Sequence, residues 1–372
     1  MIIHNSIGHM STKRNFVNVG QALFAIEEHN GKTIVYDCGG ESRLIVNAVL
    51  PYIMKNGSEI EILFISHYDN DHINGVQYLL RYCNVKHIVL PMVEEAYKFV
   101  PLINLPHNSF AYRFTMDARS AVRDEFAQWR ELEHLEKSLP LVHYVEAAEN
   151  SYGDALIFEP IPLDSLAGGF DIPANQAIRI SSTDDWIYLP FNRKVMTQNE
   201  WEAFLEYLKL PLNTKCNDFI WQWKGHWIDE VLYDRLPWFP FERRHPLKDA
   251  WHEATGISFK EINDHSMTLY SGPAHTLDHY GCLFTGDYNA QKYMTELYHF
   301  YIKLWRNIEL VQVPHHGSKS NFDEQLIISG ATHVIPNKQV PSKRSDVNYE
   351  FVKMQIESKG ERVVGAWEQP IK

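Results

Sequence analysis

Short apolar runs separated by turn residues fill the first part of the chain. Three of them have the length and side chains of β-strands, at 16–19, 22–26 and 33–36. Asn30-Gly31, between the last two runs, predicts a tight hairpin turn. A helix over 44–54 and a buried strand over 61–66 are predicted next. This alternation is typical of an α/β fold.

The pattern changes between residues 92 and 255. Residues 117–138 have helical periodicity, and Thr197-Gln198-Asn199-Glu200 has the form of a capping box before another helix. Most of the tryptophans fall in this region, namely Trp129, Trp186, Trp201, Trp221, Trp223, Trp227, Trp238 and Trp251. We therefore predict a mainly helical, tryptophan-rich insertion over 92–255.

Strands and helices alternate again after residue 256. Strands are predicted over 266–271, 281–285, 308–313, 332–336 and 362–367. Helices are predicted over 290–305, 322–329 and 349–358. Segments 1–91 and 256–372 are thus expected to form one α/β domain that the insertion interrupts.

Composition and charge argue against several classes of protein. The formal net charge is −12, so the chain lacks the basic footprint of a general nucleic-acid binder. No segment approaches the ~18 uncharged apolar residues of a membrane-spanning helix, and the N-terminus lacks the apolar core of a signal peptide. The four cysteines are widely separated and form no CxxC pair. These features predict a cytoplasmic protein without a membrane contact or a disulfide framework.

Potential metal ligands lie at the ends of three predicted strands. The first group is the run His67-Tyr68-Asp69-Asn70-Asp71-His72. Asp287 follows a strand and a glycine, and His315-His316 follows a third strand. Imidazole and carboxylate ligands together suit zinc, manganese or iron. The pattern predicts a metal centre, and ligands on both sides of a tight turn can serve two adjacent metals.

These motifs resemble those of the metallo-β-lactamase superfamily, and more closely those of the ComEC-type hydrolase domain and its free-standing relatives. HYDNDH (67–72) is similar to HxHxDH, and the other matching elements are VGQ (19–21), DCG (37–39), NDHSMTL (263–269), LFTGD (283–287) and VPHHGS (313–318). The resemblance covers 16–91 and 256–340 and leaves out the insertion.

The resemblance implies an αββα sandwich with a dinuclear metal site at one edge. His67 and Asp69 would hold the first metal, and Asp71 and His72 the second. His315 would join the second metal, and Asp287 would bridge the two. His316 would be a neighbouring ligand or a proton donor, and Asp37 a structural support beneath the site. Zinc is the expected metal, with manganese as the alternative because Asp69 makes the first site richer in oxygen.

The chain departs from the family pattern at several positions. Ala22 directly follows VGQ, and Asn74 stands at the second glycine of HxDxDHxGG. Asn263 and His265 are both candidates for the third ligand of the first metal. The family's C-terminal histidine has no clear match near 340–348.

The resemblance implies a metal-dependent hydrolase that activates water at the dinuclear site. Phosphodiesters are the favoured substrates, so the enzyme would be a nuclease or a nucleotide phosphodiesterase. Asp71 or Asp287 would orient the attacking water, and His316 would protonate the leaving oxygen. Ser318 and Lys319 either hold a phosphoryl oxygen or form a solvated turn. The alternatives are a hydrolase of a lactone, lactam or thioester, and a partner-regulated or non-catalytic module.

Two segments of the insertion are both aromatic and basic, namely 221–227 and 238–245. They can be interpreted in two ways. They could stack bases and contact phosphates, with Arg243 and Arg244 meeting the charge of a nucleotide or nucleic acid. Alternatively, their tryptophans form the core of the insertion, a homodimer interface or the contact with a protein partner. We favour the second interpretation because aromatic residues dominate ordinary cores and interfaces.

Overall fold

The computed structural model describes most of the chain between residues 2 and 366. The residues it leaves undescribed within that span are 8–9, 21, 56, 107, 134–136, 149–158, 167, 183–184, 195–197, 217, 221–245, 258–264, 276–279 and 337–344. The segments 221–227 and 238–245, with Arg243 and Arg244, therefore lie outside the described residues.

The strands form two sheets. The first sheet has the order β1 to β7, namely β1 (Ile2–Ile7), β2 (Met10–Phe16), β3 (Ala25–His29), β4 (Lys32–Tyr36), β5 (Glu59–Phe64), β6 (Asn84–Pro91) and β7 (Leu141–Val145). The second runs from β15 to β8, namely β8 (Ile161–Pro162), β9 (Ile178–Arg179), β10 (Trp186–Phe191), β11 (Thr268–Pro273), β12 (Gly281–Phe284), β13 (Ile308–Gln312), β14 (Thr332–Ile335) and β15 (Arg362–Gly365). Pairing is parallel from β4 to β7 and from β12 to β15.

Helices cover the outer faces of both sheets. Those before β11 are α1 (Ser42–Leu44), α2 (Leu50–Lys55), α3 (Asn70–Ile73), α4 (Val76–Tyr82), α5 (Glu95–Asn104), α6 (Phe110–Met116), α7 (Ala118–Glu133), α8 (Gln198–Tyr207) and α9 (Pro246–Thr255), with a π-helical turn at Ile45–Val49. Those after β12 are α10 (Ala290–Tyr301) and α11 (Ser345–Ser358). No helix in the described ranges is long and apolar enough to cross a membrane.

Three apolar cores separate four layers. The core between the sheets joins inward-facing residues of both, for example Ile34 and Phe64 of the first and Phe284 and Leu310 of the second. A second core lies between the first sheet and the helices over it, and a third lies between the second sheet and α10 and α11. The architecture is an αββα sandwich, which confirms the predicted fold class.

Several predicted elements agree with the structure in type and position. Asn30 and Gly31 both have positive φ, at 48° and 77°, as a two-residue hairpin turn between β3 and β4 requires. The helix predicted over 322–329 is wrong, because only a short 3-10 turn forms at Glu324–Leu326. The buried His333 ring lies within hydrogen-bonding distance of the Leu326 carbonyl. It thereby occupies the Leu326 carbonyl, which in a longer helix would accept a hydrogen bond from a backbone N–H of the next turn.

The region predicted as a helical insertion contributes strands to both sheets. β7 pairs with β6 in parallel, and β10 pairs with β11 along its whole length in antiparallel register. The expectation that all of 92–255 is a mainly helical addition therefore needs correction. The region supplies an edge strand to the first sheet and an inner strand to the second, because both strands bury apolar side chains between neighbouring layers.

An aromatic cluster anchors the helical part of this region. Trp201 of α8 and Trp251 of α9 are fully buried, and their rings pack around Phe99, Phe204 and Phe219. For these two tryptophans the role is therefore packing.

A buried ion pair links the two sheets. Arg14 and Glu27 face each other across β2 and β3, with the Nε–Oε2 distance at 2.6 Å and side chains 3% and 2% exposed. Ser271 and Tyr188 of the second sheet also donate hydrogen bonds to the Glu27 carboxylate. Burial alone would raise the pKa of Glu27, but Arg14 outweighs it and holds the pKa below its usual 4.5.

Replacing Glu27 by glutamine should lower the free energy of unfolding by about 3–5 kcal/mol, because Arg14 would remain buried without its counter-ion. The stabilisation depends on ionised Glu27, so it is full above pH 4.5 and is lost as the pH falls through the lowered folded-state pKa. Urea unfolding at pH 7 and at acid pH measures both effects.

The adjacent pair Lys13–Glu28 is the control, since its side chains are 24% and 26% exposed. Lys13→Met should change stability by about 1 kcal/mol or less. Equal losses in the two variants would contradict a special role for the buried pair.

Candidate metal centre

Backbone hydrogen bonds join the turn after β4 to the turn after β5. Cys38 N donates to His72 O at 2.9 Å, and Gly75 N donates to Cys38 O at 2.7 Å. A Cβ added to Gly39 would lie 1.5 Å from Asp71 O, and one added to Gly75 would lie 2.2 Å from Cys38 O. Glycine is therefore required at both positions, and the turn after β4 sets the position of the turn after β5.

The Asp37 carboxylate organises this junction. One oxygen accepts from Ser66 N at 2.7 Å, and the other accepts from Ser66 Oγ at 2.7 Å and lies 2.8 Å from His72 Nδ1. A histidine held through Nδ1 presents its Nε2 to a metal. Asp37 thus lies beneath the site as a support, as the resemblance implies.

Asn74, which stands where the family motif has a glycine, joins the same two turns. Its side chain accepts a hydrogen bond from Gly40 N and donates one to Gly40 O. The substitution therefore adds two hydrogen bonds between the turns.

One ligand group consists of His67, His72 and Asp287, all buried. His72 Nε2 lies 3.3 Å from Asp287 Oδ1, and His67 Nε2 lies 3.9 Å from Asp287 Oδ2. Two atoms bound at about 2.1 Å to one tetrahedral ion are about 3.4 Å apart. These separations are therefore close to those of ligands around a shared cation.

A second group consists of Asp71, His72 and His316. His316 Nε2 lies 3.4 Å from Asp71 Oδ2, while its Nδ1 lies 2.9 Å from the Pro336 carbonyl. That contact fixes the ring in the same way as Asp37 fixes His72. His72 belongs to both groups.

The two neighbouring histidines differ from their expected arrangement. His316, not His315, faces Asp71 and His72. His315 Nε2 lies 3.6 Å from Asp287 Oδ2, and its side chain is 31% exposed. Both residues have positive φ, 49° and 54°, which turns consecutive side chains in directions that a regular strand or helix would not produce.

Asp69 and His265, two further predicted ligands, are placed differently. Asp69 lies at the edge of the first group, with Oδ2 3.8 Å from His67 Nε2 and a side chain 19% exposed. The His265 ring belongs to neither ligand group. Asn263, the other candidate for the third ligand, lies outside the described residues.

Ser318 and Lys319, the predicted substrate contacts, follow His316 directly. Ser318 Oγ lies 3.0 Å from Ser320 Oγ. The Lys319 ammonium lies over the Phe351 ring, 4.0 Å from its centroid. These contacts agree with a solvated turn and leave a substrate role as a prediction.

Two supporting side chains have no counterpart in the predicted site. Gln312 accepts from Gly286 N at 2.7 Å and donates to Val313 O at 2.7 Å, so it ties the Asp287 turn to the end of β13. Ser266 Oγ accepts from Asp287 N at 3.0 Å and lies 3.3 Å from His67 Nδ1. In the sequence, the position of Ser266 within the NDHSMTL motif is the one indication that it supports the site.

Two of the ligand side chains are held in the forms that bind metals, and two are not. Burial lowers the pKa of His67 well below its usual value, and His72 lowers it further, so His67 stays neutral. Burial would raise the pKa of Asp287, but His315 and His72 outweigh it and hold the pKa well below its usual value. Neutral imidazole and ionised carboxylate are the ligand forms of these side chains. Burial would lower the pKa of His72 and of His316, but the surrounding carboxylates outweigh it and raise both, so each of these rings must lose a proton when a metal binds.

The residues offer ligands for two divalent cations, of which the shared His72 Nε2 can bind only one. The Nε2 atoms of His67, His72 and His316 are buried, and none has a hydrogen-bond partner among the described residues. Unpaired buried nitrogen atoms carry a substantial free-energy cost, which a bound cation would remove. Each of them lies beside a carboxylate oxygen at the separations given above.

Comparison with known proteins agrees with this geometry. The sequence profile described as the metallo-β-lactamase superfamily matches residues 19–144, a segment that holds Asp37 and the 67–75 turn. The chain contains a metallo-β-lactamase superfamily domain. Asp37 and Ser66, which contact the candidate ligands His72 and His67, fall inside the matched segment.

Curated proteins match this chain over short stretches. Recombination protein 2 of Haemophilus influenzae is 40% identical over 74 residues, which cover 19% of this chain and 9% of that protein. Ribonuclease J of Mycoplasma genitalium is 33% identical over 82 residues, which cover 20% of this chain and 14% of that protein. The similarity therefore spans only a small part of either relative.

Two solved structures align over most of the chain. Human tRNase Z, short form, has a TM-score of 0.35 and 12% identity over 81% of this chain and 76% of that one. The metallo-β-lactamase fold protein YhfI from Bacillus subtilis has a TM-score of 0.41 and 8% identity over 95% of each chain.

Replacing Asp37 by asparagine should weaken zinc binding. Asparagine tolerates the left-handed backbone at this position, where φ is 54°, but it brings no charge to the His72 ring. Loss of such a carboxylate lowers metal affinity about 10- to 100-fold. Competition with a chromophoric chelator measures the change. Asp124→Asn, on the exposed face of α7, is the control and should bind as the wild type does.

Replacing His316 by glutamine should reduce bound metal more than the same change at His315. His316 is buried and faces two ligands, whereas His315 is more exposed and its Nε2 lies 3.6 Å from Asp287 Oδ2. Both positions share a positive φ, so the variants carry matched backbone strain. Mass-spectrometric metal content of the purified variants compares them. A greater loss in the His315 variant would restore the arrangement expected from the resemblance.

Proposed function

We propose that the protein is a metal-dependent hydrolase of phosphodiesters, acting on a nucleotide or a nucleic acid. The observation that carries the proposal is the pair of ligand groups that share His72 at one edge of the sandwich. Five ligand side chains from three separate loops converge there, namely His67, Asp71, His72, Asp287 and His316.

Two divalent cations at this centre would lower the pKa of a water molecule and neutralise charge on the attacked group. Zinc is the metal we propose, with manganese as the alternative because carboxylates contribute much of the ligand set.

The side chains around the centre have distinct roles in this proposal. Asp71 is 43% exposed and stands at the open side, where it accepts a hydrogen bond from the attacking water. His316 is held through Nδ1 by Pro336 O and would hold a metal through Nε2. Protonation of the leaving oxygen by His316 is the alternative role, because a metal-bound Nε2 carries no proton. Asp287 is buried, and its carboxylate lies beside the rings of both His72 and His315.

Phosphodiester substrates are favoured over carbonyl substrates by the local similarity to a protein named ribonuclease J. The net charge of −12 argues for a small nucleotide, or for nucleic acid held by local contacts, over tight nonspecific binding of a long polymer. Ser318 and Lys319 remain proposed contacts for a phosphoryl oxygen. A cytoplasmic location and a partner interface on 92–255 also remain predictions.

Labelled RNA, single-stranded DNA, double-stranded DNA and a simple aryl phosphodiester are the substrates that test the proposal. Zinc- or manganese-dependent cleavage of at least one is expected. Asp71→Asn should lower turnover by about 10²- to 10⁴-fold, because a neutral amide cannot act as a base toward the attacking water as a carboxylate does.

Asp124→Asn is the matched control and should cleave at the wild-type rate. Protein shown to carry two metals that cleaves none of these substrates would contradict the proposal. Hydrolysis of a lactone or thioester by the same preparation would then identify the carbonyl alternative, and no hydrolysis at all would favour a partner-regulated module.

A further inference from the structure

A second cavity lies beside the metal centre. Its volume is about 350 Å³. The residues that line it include the charged side chains of Glu94, Arg193 and Lys194, and the full lining is Met92, Val93, Glu94, Tyr97, Ala147, Arg193, Lys194 and His265. Met92, Ala147 and Arg193 each lie within two residues of the end of a strand, respectively β6, β7 and β10. Ligands of α/β sheets commonly bind beyond the carboxyl ends of parallel strands, and β5, which carries His67, is parallel to β6.

The walls of this cavity are tied together by one buried side chain. Asn192 is 1% exposed, and its Nδ2 donates to Met92 O at 2.9 Å and to Val145 O at 2.7 Å. Its backbone carbonyl accepts from Ala148 N at 2.8 Å. The ends of β6, β7 and β10 are thereby tied to one another beside the cavity.

His265 projects a polar ring into this cavity. The residue is 3% exposed, and neither ring nitrogen has a hydrogen-bond partner among the described residues. Burial and the nearby Arg193 lower its pKa to about 3, so the ring is neutral at pH 7 and offers one donor and one acceptor. An unpaired buried donor and acceptor are unfavourable, so the ring calls for a polar partner inside the cavity.

The cavity is connected to the candidate metal ligands through Ser266, the residue that follows His265. Ser266, directly after His265, contacts His67 Nδ1 and the backbone of Asp287. Tyr97 donates a hydrogen bond to the His265 carbonyl, and its ring meets the His265 ring edge-on at 4.8 Å between centroids. The imidazole is thus fixed toward the cavity, while the next side chain supports the centre.

A rigid cation stands on the wall of the cavity. Arg193 Nε donates to Glu296 at 2.7 Å, and the guanidinium carbon lies 3.4 Å from the centroid of the Tyr293 ring. These two contacts hold the guanidinium in place without a ligand. Lys194, exposed beside it, adds a second positive charge at the rim.

We propose that this cavity binds the nucleotide unit next to the scissile phosphodiester. His265 would hydrogen-bond the base or the sugar through its free donor and acceptor, and Arg193 and Lys194 would attract the flanking phosphate. The proposal rests on the proposed function for the link to cleavage, but the binding of a nucleotide can be tested alone. It also assigns His265 to substrate positioning, in place of the metal-ligand role considered from the sequence.

Calorimetric titration of the metal-loaded full chain with AMP, GMP, CMP and UMP tests the proposal, with inorganic phosphate as a separate probe. His265→Phe keeps a ring of similar size without donor or acceptor. It should weaken binding of at least one nucleotide about tenfold, as expected for the loss of two neutral hydrogen bonds, and leave phosphate binding unchanged. The exposed His252→Phe is the control and should bind all five ligands as the wild type does.

Unchanged nucleotide binding in His265→Phe would overturn the proposal, as would wild-type protein that binds none of the four nucleotides. A lower metal content in this variant would also overturn it, because His265 would then be a metal ligand. If nucleotides bind through His265 but no phosphodiester is cleaved, the cavity assignment stands and the proposed function fails. If cleavage occurs with unchanged KM in His265→Phe, the cavity assignment fails and the proposed function stands.

Discussion

The Asp37 carboxylate accepts hydrogen bonds from the backbone and hydroxyl of Ser66 and contacts the His72 ring. Ser66 immediately precedes His67, so this one side chain restrains ligands at both ends of the 67–72 loop. The carboxylate can reach them because the backbone at Asp37 is left-handed and because Gly39 lets the two turns touch. The positions of the proposed metal ligands His67 and His72 thus depend on an interaction on the side of the rings away from their Nε2 atoms.

The remaining ligands come from the second sheet, and its attachment fixes their distance from the first. Ser66 O accepts from Met267 N, and Tyr36 donates to Met267 O, so the strand after Ser266 is anchored to both β4 and β5. Gln312 then ties the Asp287 turn to β13. The buried Arg14–Glu27 pair adds hydrogen bonds across the same interface. A two-metal centre between sheets requires such restraints, since small shifts would separate its ligand groups.

Local patterns predicted much of this site. Ligand motifs follow apolar strands that are visible from periodicity, and glycines mark turns that only glycine permits. The orientation of His315 and His316 was not predictable, because it depends on two consecutive positive φ angles. The conformation of His265 depends on Tyr97, which is distant in sequence.

The strands within 92–255 were missed for a related reason. Pro190 interrupts the apolar run of β10, and a proline within such a run argues against a sheet strand. β7 lies at the edge of its sheet and has only β6 as a partner, so its pairing is set by tertiary packing. Helical periodicity in 117–138 was strong by comparison, and it dominated the prediction for the whole region.

Anomalous diffraction from crystals of the zinc-loaded protein, recorded on both sides of the zinc edge, tests the central claim most directly. The account predicts two zinc peaks per chain, one within bonding distance of His67 Nε2 and the other within bonding distance of His316 Nε2. No bound zinc in this region, or zinc bound to His265 and away from His316, would contradict it.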